Sequence, residues 1–266
     1  MEVHHHAHTG TDSHRGHRKK WTHYFWEFLM SFLAVFCGFV AEYQLEHKIE
    51  KERVNKYMHD MVENLKYDTT RVARNMTENI RLHRDMDSFR FEIKEAINKR
   101  PNNARLYYFF VTVNQYGIAA FNRSAITQLK NSGSLRLVKN DSLLNEILDY
   151  YERKVVGSEY YEQQVKMGLE SLGATYKRVF STQPFNFVAT MNDTTFNYGI
   201  SSNDKQSMMS DLNAKPLQLL TNDPKELEML LSDVFNFEWR IINYDRFLRY
   251  TRQAADKLMQ DIRNKY

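Results

Sequence analysis

The sequence predicts a mostly α-helical protein: one N-terminal transmembrane helix that continues into an antiparallel bundle of long helices. Three observations carry this expectation. An uncharged apolar run, Phe28 to Ala41, follows a basic and aromatic cluster. No proline precedes Pro101, and no glycine lies between Gly38 and Gly117. Beyond Ala41, apolar residues recur at helical steps in long stretches divided by turn signals.

The apolar run by itself spans only about 21 Å as a helix, against about 30 Å of hydrocarbon. The membrane anchor therefore extends outward over residues 18–43, with Trp21 to Tyr43 reaching about 34 Å. Apart from Glu42 at its outer end, Glu27 is the single charge between Trp21 and Tyr43. Arg18, Lys19, Lys20, Trp21, Tyr24 and Trp26 are read as interface anchors on one side, and Tyr43 as the anchor on the other. Glu42 and Glu46 follow the run, so the basic flank places the N-terminus in the cytoplasm and the bulk of the chain outside. Cleavage as a signal peptide would best fall after Ala41, but bulky Phe39 occupies the −3 position. A lipoprotein signal needs a small residue before Cys37, where Phe36 stands. The flanking asymmetry also argues against a buried core helix. Glu27, Ser31, Ala34, Gly38 and Ala41 fall on one narrow, mostly small-residue stripe, which is expected to pack on another membrane helix.

Residues 1–17 are a different material: His4, His5, His6, His8, His14 and His17 among Gly, Thr, Ser and Asp. They read as a disordered cytoplasmic tail. Its imidazoles add charge near an anionic leaflet, with a divalent transition metal as the second reading. No other cofactor is expected.

From Glu42 to about residue 98 one stripe runs Leu45, Ile49, Tyr57, Met61, Leu65, Val72, Met76, Ile80, Leu82, Met86, Phe89, Ile93 and Ile97. Arg100-Pro101-Asn102-Asn103 stops it. A second helix is predicted from Ala104 to Lys130 and is closed by Asn131-Ser132-Gly133, with Gly133 suited to the left-handed cap. Leu135 to Val138 reads as a short extended link. Asn140 or Asp141 caps a third helix reaching about Phe180, with Tyr151, Val155, Tyr160, Val165, Leu172 and Tyr176 among its inward residues. Residues 181–222 read as an irregular insertion, with a two-stranded hairpin around Phe185–Val188 and Thr195–Ile200. Asp223 then caps a final helix, Pro224 fits its first position and Glu226 completes a box-like pattern. Its stripe is Leu227, Leu230, Val234, Phe237, Ile241, Leu248, Ala255, Leu258 and Ile262. Residues 44–266 are thus one helical body outside the membrane.

The chain's mean hydropathy is −0.64 and its net charge +4. Between residues 44 and 100, thirteen Lys and Arg mix with eleven Asp and Glu, a solvated helix surface and not a nucleic-acid groove. The one cysteine, Cys37, lies in the membrane segment, so the body has no disulfide, thiol nucleophile or cysteine metal site.

Arg18-Lys19-Lys20-Trp21-Thr22-His23-Tyr24-Phe25-Trp26-Glu27-Phe28, then Phe32-Leu33-Ala34-Val35-Phe36-Cys37-Gly38-Phe39, resembles the start of an uncharacterised family of single-span membrane proteins common in Bacteroidota. That family also carries a motif similar to Leu129-Lys130-Asn131-Ser132-Gly133-Ser134-Leu135-Arg136-Leu137-Val138-Lys139-Asn140, then Tyr150-Tyr151. The resemblance covers nearly the whole chain after residue 17. It implies a bacterial inner membrane and, being to a domain of unknown function, no particular activity.

No phosphate loop, dinucleotide fingerprint or His-Glu-x-x-His is present. Ser202-Asn203-Asp204-Lys205 matches the Ser-x-x-Lys of serine acylases, but at a frequency chance supplies, and it is expected in a loop. His47, His59 and His83 are never three or four residues apart and read as surface or bundle-edge histidines. The expectation is a non-enzymatic scaffold or accessory subunit of an inner-membrane complex, its partners lipid and either a second copy or another membrane protein, with no nucleic acid. The alternative is an extracytoplasmic ligand or stress sensor signalling through the single span, against which stands an inner part of about twenty residues.

Overall fold

The structure, a computed structural model, describes residues 18–181 and 202–266, with side chains from Trp21 to Ser181 and from Gln206 onward. The His-rich tail and the expected hairpin lie outside the described residues. What is described is mostly helical, with no strand. The helices are α1 (Arg18–Ile97), α2 (Asn103–Thr112), α3 (Ser124–Asn131), α4 (Asp141–Asp149), α5 (Val156–Val179), α6 (Ser202–Asn213) and α7 (Pro224–Lys265). A 3₁₀ turn spans Ser134–Leu137 and a π-helical turn spans Tyr150–Val155.

The chain divides into two compact units, Met1–Arg53 and Val54–Tyr266. In the first unit α1 is uncovered: from Trp21 to Ile49 every residue is exposed except Leu29, which is partly so. Phe28, Phe32 and Phe36 stack in turn, with ring centroids 6.3 and 6.0 Å apart. This is a helix long and apolar enough to cross a membrane.

In the second unit, α5 and α7 pack along their lengths in opposite sequence order. Ser158 meets Thr251, Gln164 meets Arg240, and Arg178 meets Glu226. A Cβ at Gly157 would lie 2.4 Å from Phe247 Cζ and one at Gly168 2.6 Å from Arg240 Cδ, so both glycines permit the close approach. The α7 stripe is buried at every expected position, from Leu227 to Ile262. Asp223 caps it by accepting from Lys225 N at 3.0 Å. The reciprocal half of the box is filled otherwise: the Asp223 amide donates to Thr221 Oγ1, and Glu226 pairs with Arg178.

Apolar side chains form two clusters. One holds Met86, Phe89, Leu106, Tyr107, Val165, Phe237 and Ile241. The other holds Val54, Met58, Leu65, Leu129, Ile147, Tyr150, Tyr151 and Leu258. Along each long helix the change from one to the other falls at polar residues: Asp68 and Thr69 on α1, Ser158 on α5, and Thr251 on α7.

Four sequence expectations are corrected. The helix predicted over residues 104–130 is two helices, α2 and α3, joined by an irregular connector at 113–123. The amides of Gly117, Ala119 and Asn122 are bonded by side chains of α1 and α7 in place of helical hydrogen bonds. Residues 134–137 form a 3₁₀ turn in place of an extended link, with Gly133 at φ +68° as expected and only Val138 extended. Tyr160, expected inward, is 60 % exposed: it stands five residues from both buried Val155 and buried Val165, about 140° round the helix from that stripe. The irregular 181–222 stretch contains α6.

The stop after α1 has a local cause. Arg100 N donates to Glu95 O and Lys99 N to Ala96 O, with Lys99 left-handed at φ +60°. This is the hydrogen-bond pattern of a Schellman cap, made here by a lysine.

Candidate functional site: an uncovered apolar helix and a buried polar network

The residues named for membrane packing all lie on α1 in the first unit. Ser31, Ala34 and Ala41 are exposed, and nothing lies within 4 Å of a Cβ built on Gly38. Glu27 is exposed and pairs with His23 at 3.1 Å, one turn back. Trp21, Tyr24 and Trp26 are exposed at one end of the apolar run and Tyr43 at the other. Arg18, Lys19 and Lys20 open the helix. A helix apolar on all faces requires an apolar surrounding.

In the second unit a polar network joins α1, α7 and the 113–123 connector. Asn79 donates from Nδ2 to Asp245 Oδ1 at 2.6 Å, and its Oδ1 accepts from the Gly117 amide at 3.0 Å. His83 Nε2 lies 3.2 Å from Asp245 Oδ2, and its Nδ1 lies 3.5 Å from Glu238 Oε1. Arg90 closes the chain, bonding both Glu238 and Asp87. The Asp245 contact, then the longer Glu238 ion pair, raises the His83 pKa to about 9 against the opposing effect of burial. The ring is therefore an imidazolium at neutral pH. Two cations, His83 and Arg90, meet the two buried carboxylates of Glu238 and Asp245, so the charges compensate one another.

The same helices capture the rest of the connector. The Ala119 amide donates to Tyr244 Oη at 2.9 Å and the Asn122 amide to Asp68 Oδ1 at 2.9 Å. At Gly117 a Cβ would stand 3.0 Å from Asn75 Cβ, a tight contact that would push α1 and the connector apart by a few tenths of an ångström. A buried irregular segment must satisfy its amides somewhere, and these side chains are where it does.

Sequence reasoning missed this network. Of the two places expected for the histidines, His83 takes the bundle edge, its side chain 24 % exposed, whereas those of His47 and His59 are 56 % and 78 % exposed. A signal was present. Asn75, Asn79 and His83 step by four along the inward side of α1, and Glu238 and Asp245 step by seven beside Ile241 and Leu248 on α7. Ile80, placed inward, is exposed because Asn79 takes the inward position.

Ser202 opens α6, so the Ser-x-x-Lys match begins a helix and not a loop. Among the described residues no group of three or more His, Cys, Asp or Glu is arranged to hold a metal ion. A scan against family models and searches of curated proteins and solved structures find no match to this chain.

Proposed function

We propose that the chain is a membrane-anchored, non-enzymatic scaffold or accessory subunit of an inner-membrane complex, the inner membrane being what the family resemblance implies. In this reading, residues 18–43 span the bilayer with the N-terminus cytoplasmic. Residues 44–266 form an antiparallel helical bundle outside, and partners dock on the bundle and on the transmembrane helix. One observation carries the reading: the apolar stretch of α1 is exposed on every side, unlike a core helix of a soluble protein. Lipid and a second membrane helix are the two surroundings that suit it. The Glu27, Ser31, Ala34, Gly38 and Ala41 face is proposed for the helix, since small residues let backbones approach and a carboxylate at membrane depth seeks a partner.

Cysteine labelling in whole cells tests the placement. An impermeant thiol reagent is expected to label a cysteine at Asn192 and to spare one at Thr11, and the reverse pattern sinks the topology. Cross-linking through a cysteine at Ala34 tests the packing. A cross-linked species that weakens in Gly38→Leu and Glu27→Ala but not in Phe36→Leu is the expected result. A chain that stays monomeric and partnerless in native membranes ends the scaffold reading.

A further inference from the structure

Asp68 is 1 % exposed, at the boundary between the two apolar clusters. Its Oδ1 accepts from the Asn122 amide, whereas Oδ2 is buried with no hydrogen-bond partner. The Tyr150 and Tyr151 hydroxyls are likewise buried without partners, each side chain belonging to a residue 2 % exposed. Both phenols lie within electrostatic reach of the Asp68 carboxyl. Three unpartnered oxygens in one neighbourhood are rare in a packed interior, where almost every buried polar atom is matched.

The backbone is arranged to make this so. Tyr150 and Tyr151 are consecutive, and in an α-helix neighbours point about 100° apart. They sit in the π-helical turn, and both are buried with their rings edge-to-face at 4.9 Å. Short π-turns inside helices are frequent at functional positions.

The surroundings hold no counterion for an Asp68 carboxylate. On its own helix, Arg71 lies over the Tyr67 ring and acts on Asp68 only at a distance. From the connector, Arg123 faces Tyr151 and is engaged by Glu159 of α5 at 2.6 Å. From α7 comes another negative group, Asp256, facing Tyr150. The Asn122 side chain is used by Asn64, which in turn bonds Ser124. An ionised, unpaired buried carboxylate is costly, and a neutral carboxyl can donate its proton to a phenol oxygen.

We propose that Asp68, Tyr150 and Tyr151 form a proton-binding site that fastens the connector and the π-turn to α1 when protonated and loosens them when ionised. The Asn122 amide bond to Oδ1 survives in both forms; what changes is Oδ2. Protonated, Oδ2 donates within the tyrosine pair and the site is neutral. Ionised, it is a buried anion with two phenols that must reorient to donate to it. Burial, opposed by the Asn122 bond and by Arg71, brings the Asp68 pKa up to about 7. The folded carboxyl therefore binds its proton more tightly than the unfolded one. The stabilisation is complete below the ordinary value of 3.8 and is lost as pH rises through about 7. The site stands in the second unit and does not depend on the membrane placement.

The test uses the full chain in detergent micelles. Infrared difference spectra between about pH 5 and pH 8.5 are expected to show a protonated-carboxyl band that disappears with a midpoint near neutrality and is absent from Asp68→Asn. Tyr150→Phe and Tyr151→Phe each remove an acceptor for the protonated carboxyl and are expected to lower that midpoint by roughly one pH unit. Over the same range the wild-type melting temperature falls, and the part of the fall owed to Asp68 is missing from Asp68→Asn. If Asp68→Asn does not fold, the midpoints of the wild type and the two phenylalanine variants decide. No titrating band in the wild type, or an unchanged band in a folded Asp68→Asn, overturns the proposal. Midpoints that do not move in either phenylalanine variant remove the tyrosines from it.

Discussion

Replacing His83 by Gln asks whether the charged network holds α1 to α7. Gln keeps a donor within reach of Asp245 but cannot carry charge, so Asp245 and Glu238 are left with Arg90 alone. Raising an imidazole pKa from 6.5 to about 9 is equivalent, at about 1.4 kcal/mol per tenfold change in proton affinity, to an upper bound near 3 kcal/mol. The ring keeps 24 % of its exposure, and water screens part of this, which leaves about 2 kcal/mol. The folded pKa lies above the unfolded one. The contribution is therefore complete below pH 6.5 and is lost as pH rises through about 9. Thermal melts of the full chain in micelles, followed by near-ultraviolet circular dichroism, read the second unit through its buried tyrosines. At pH 6 the variant is expected to melt about 4–8 °C below the wild type, and the gap should close above pH 9.5 or so. Because Asp68 titrates in both chains, it drops out of the difference. A gap that stays constant from pH 6 to about 10 refutes a charge-based role for His83.

Backbone predictions are independent of charge. Gly133 sits at φ +68° with nothing within 4 Å of a Cβ, so Gly133→Ala pays only for its dihedral and should lose about 1 kcal/mol in urea titration. Lys99→Gly should gain about 0.5–1 kcal/mol, since Lys99 holds a left-handed cap at φ +60°. Asp223→Ala removes the side-chain acceptor at the start of α7 and should cost about 1 kcal/mol, seen as a lower urea midpoint with an unchanged slope.

The apolar periodicity located every long helix, and for α7 it placed the cap and the core residues except Tyr244 and Met259. It succeeded there because burial of Leu, Val, Phe and Ile at a 3.6-residue period leaves a mark in any local window. It failed between residues 113 and 123, where the preference for helix is overridden by acceptors on α1 and α7 that no local window contains. The inward polar residues Asp68, Asn79, His83, Glu238 and Asp245 were missed for a related reason, although Asn79 and His83, and Glu238 and Asp245, step along inward faces. A polar residue on a helix reads as surface unless its partner is known, and these partners lie more than 50 residues away, from Asp68–Asn122 to Asn79–Asp245. Tyr160 was misplaced because its steps of five from Val155 and Val165 do not fit a 3.6-residue period.

The capture of the connector by side chains from both α1 and α7 sets an order of events during synthesis. When residues 113–123 leave the ribosome, Asp68 and Asn79 are already available, but Tyr244, 125 residues beyond the Ala119 amide it receives, is not. Nor are Glu238 and Asp245, so His83 lacks the carboxylates that hold it charged and Arg90 has only Asp87 of its own helix. Loop closure over such separations is slow compared with helix formation. The connector therefore stays incompletely bonded until α7 is made and docks. The second unit closes as one late, cooperative event, and a chain interrupted before residue 238 exposes its α1 polar face to chaperones and proteases as an unfinished product.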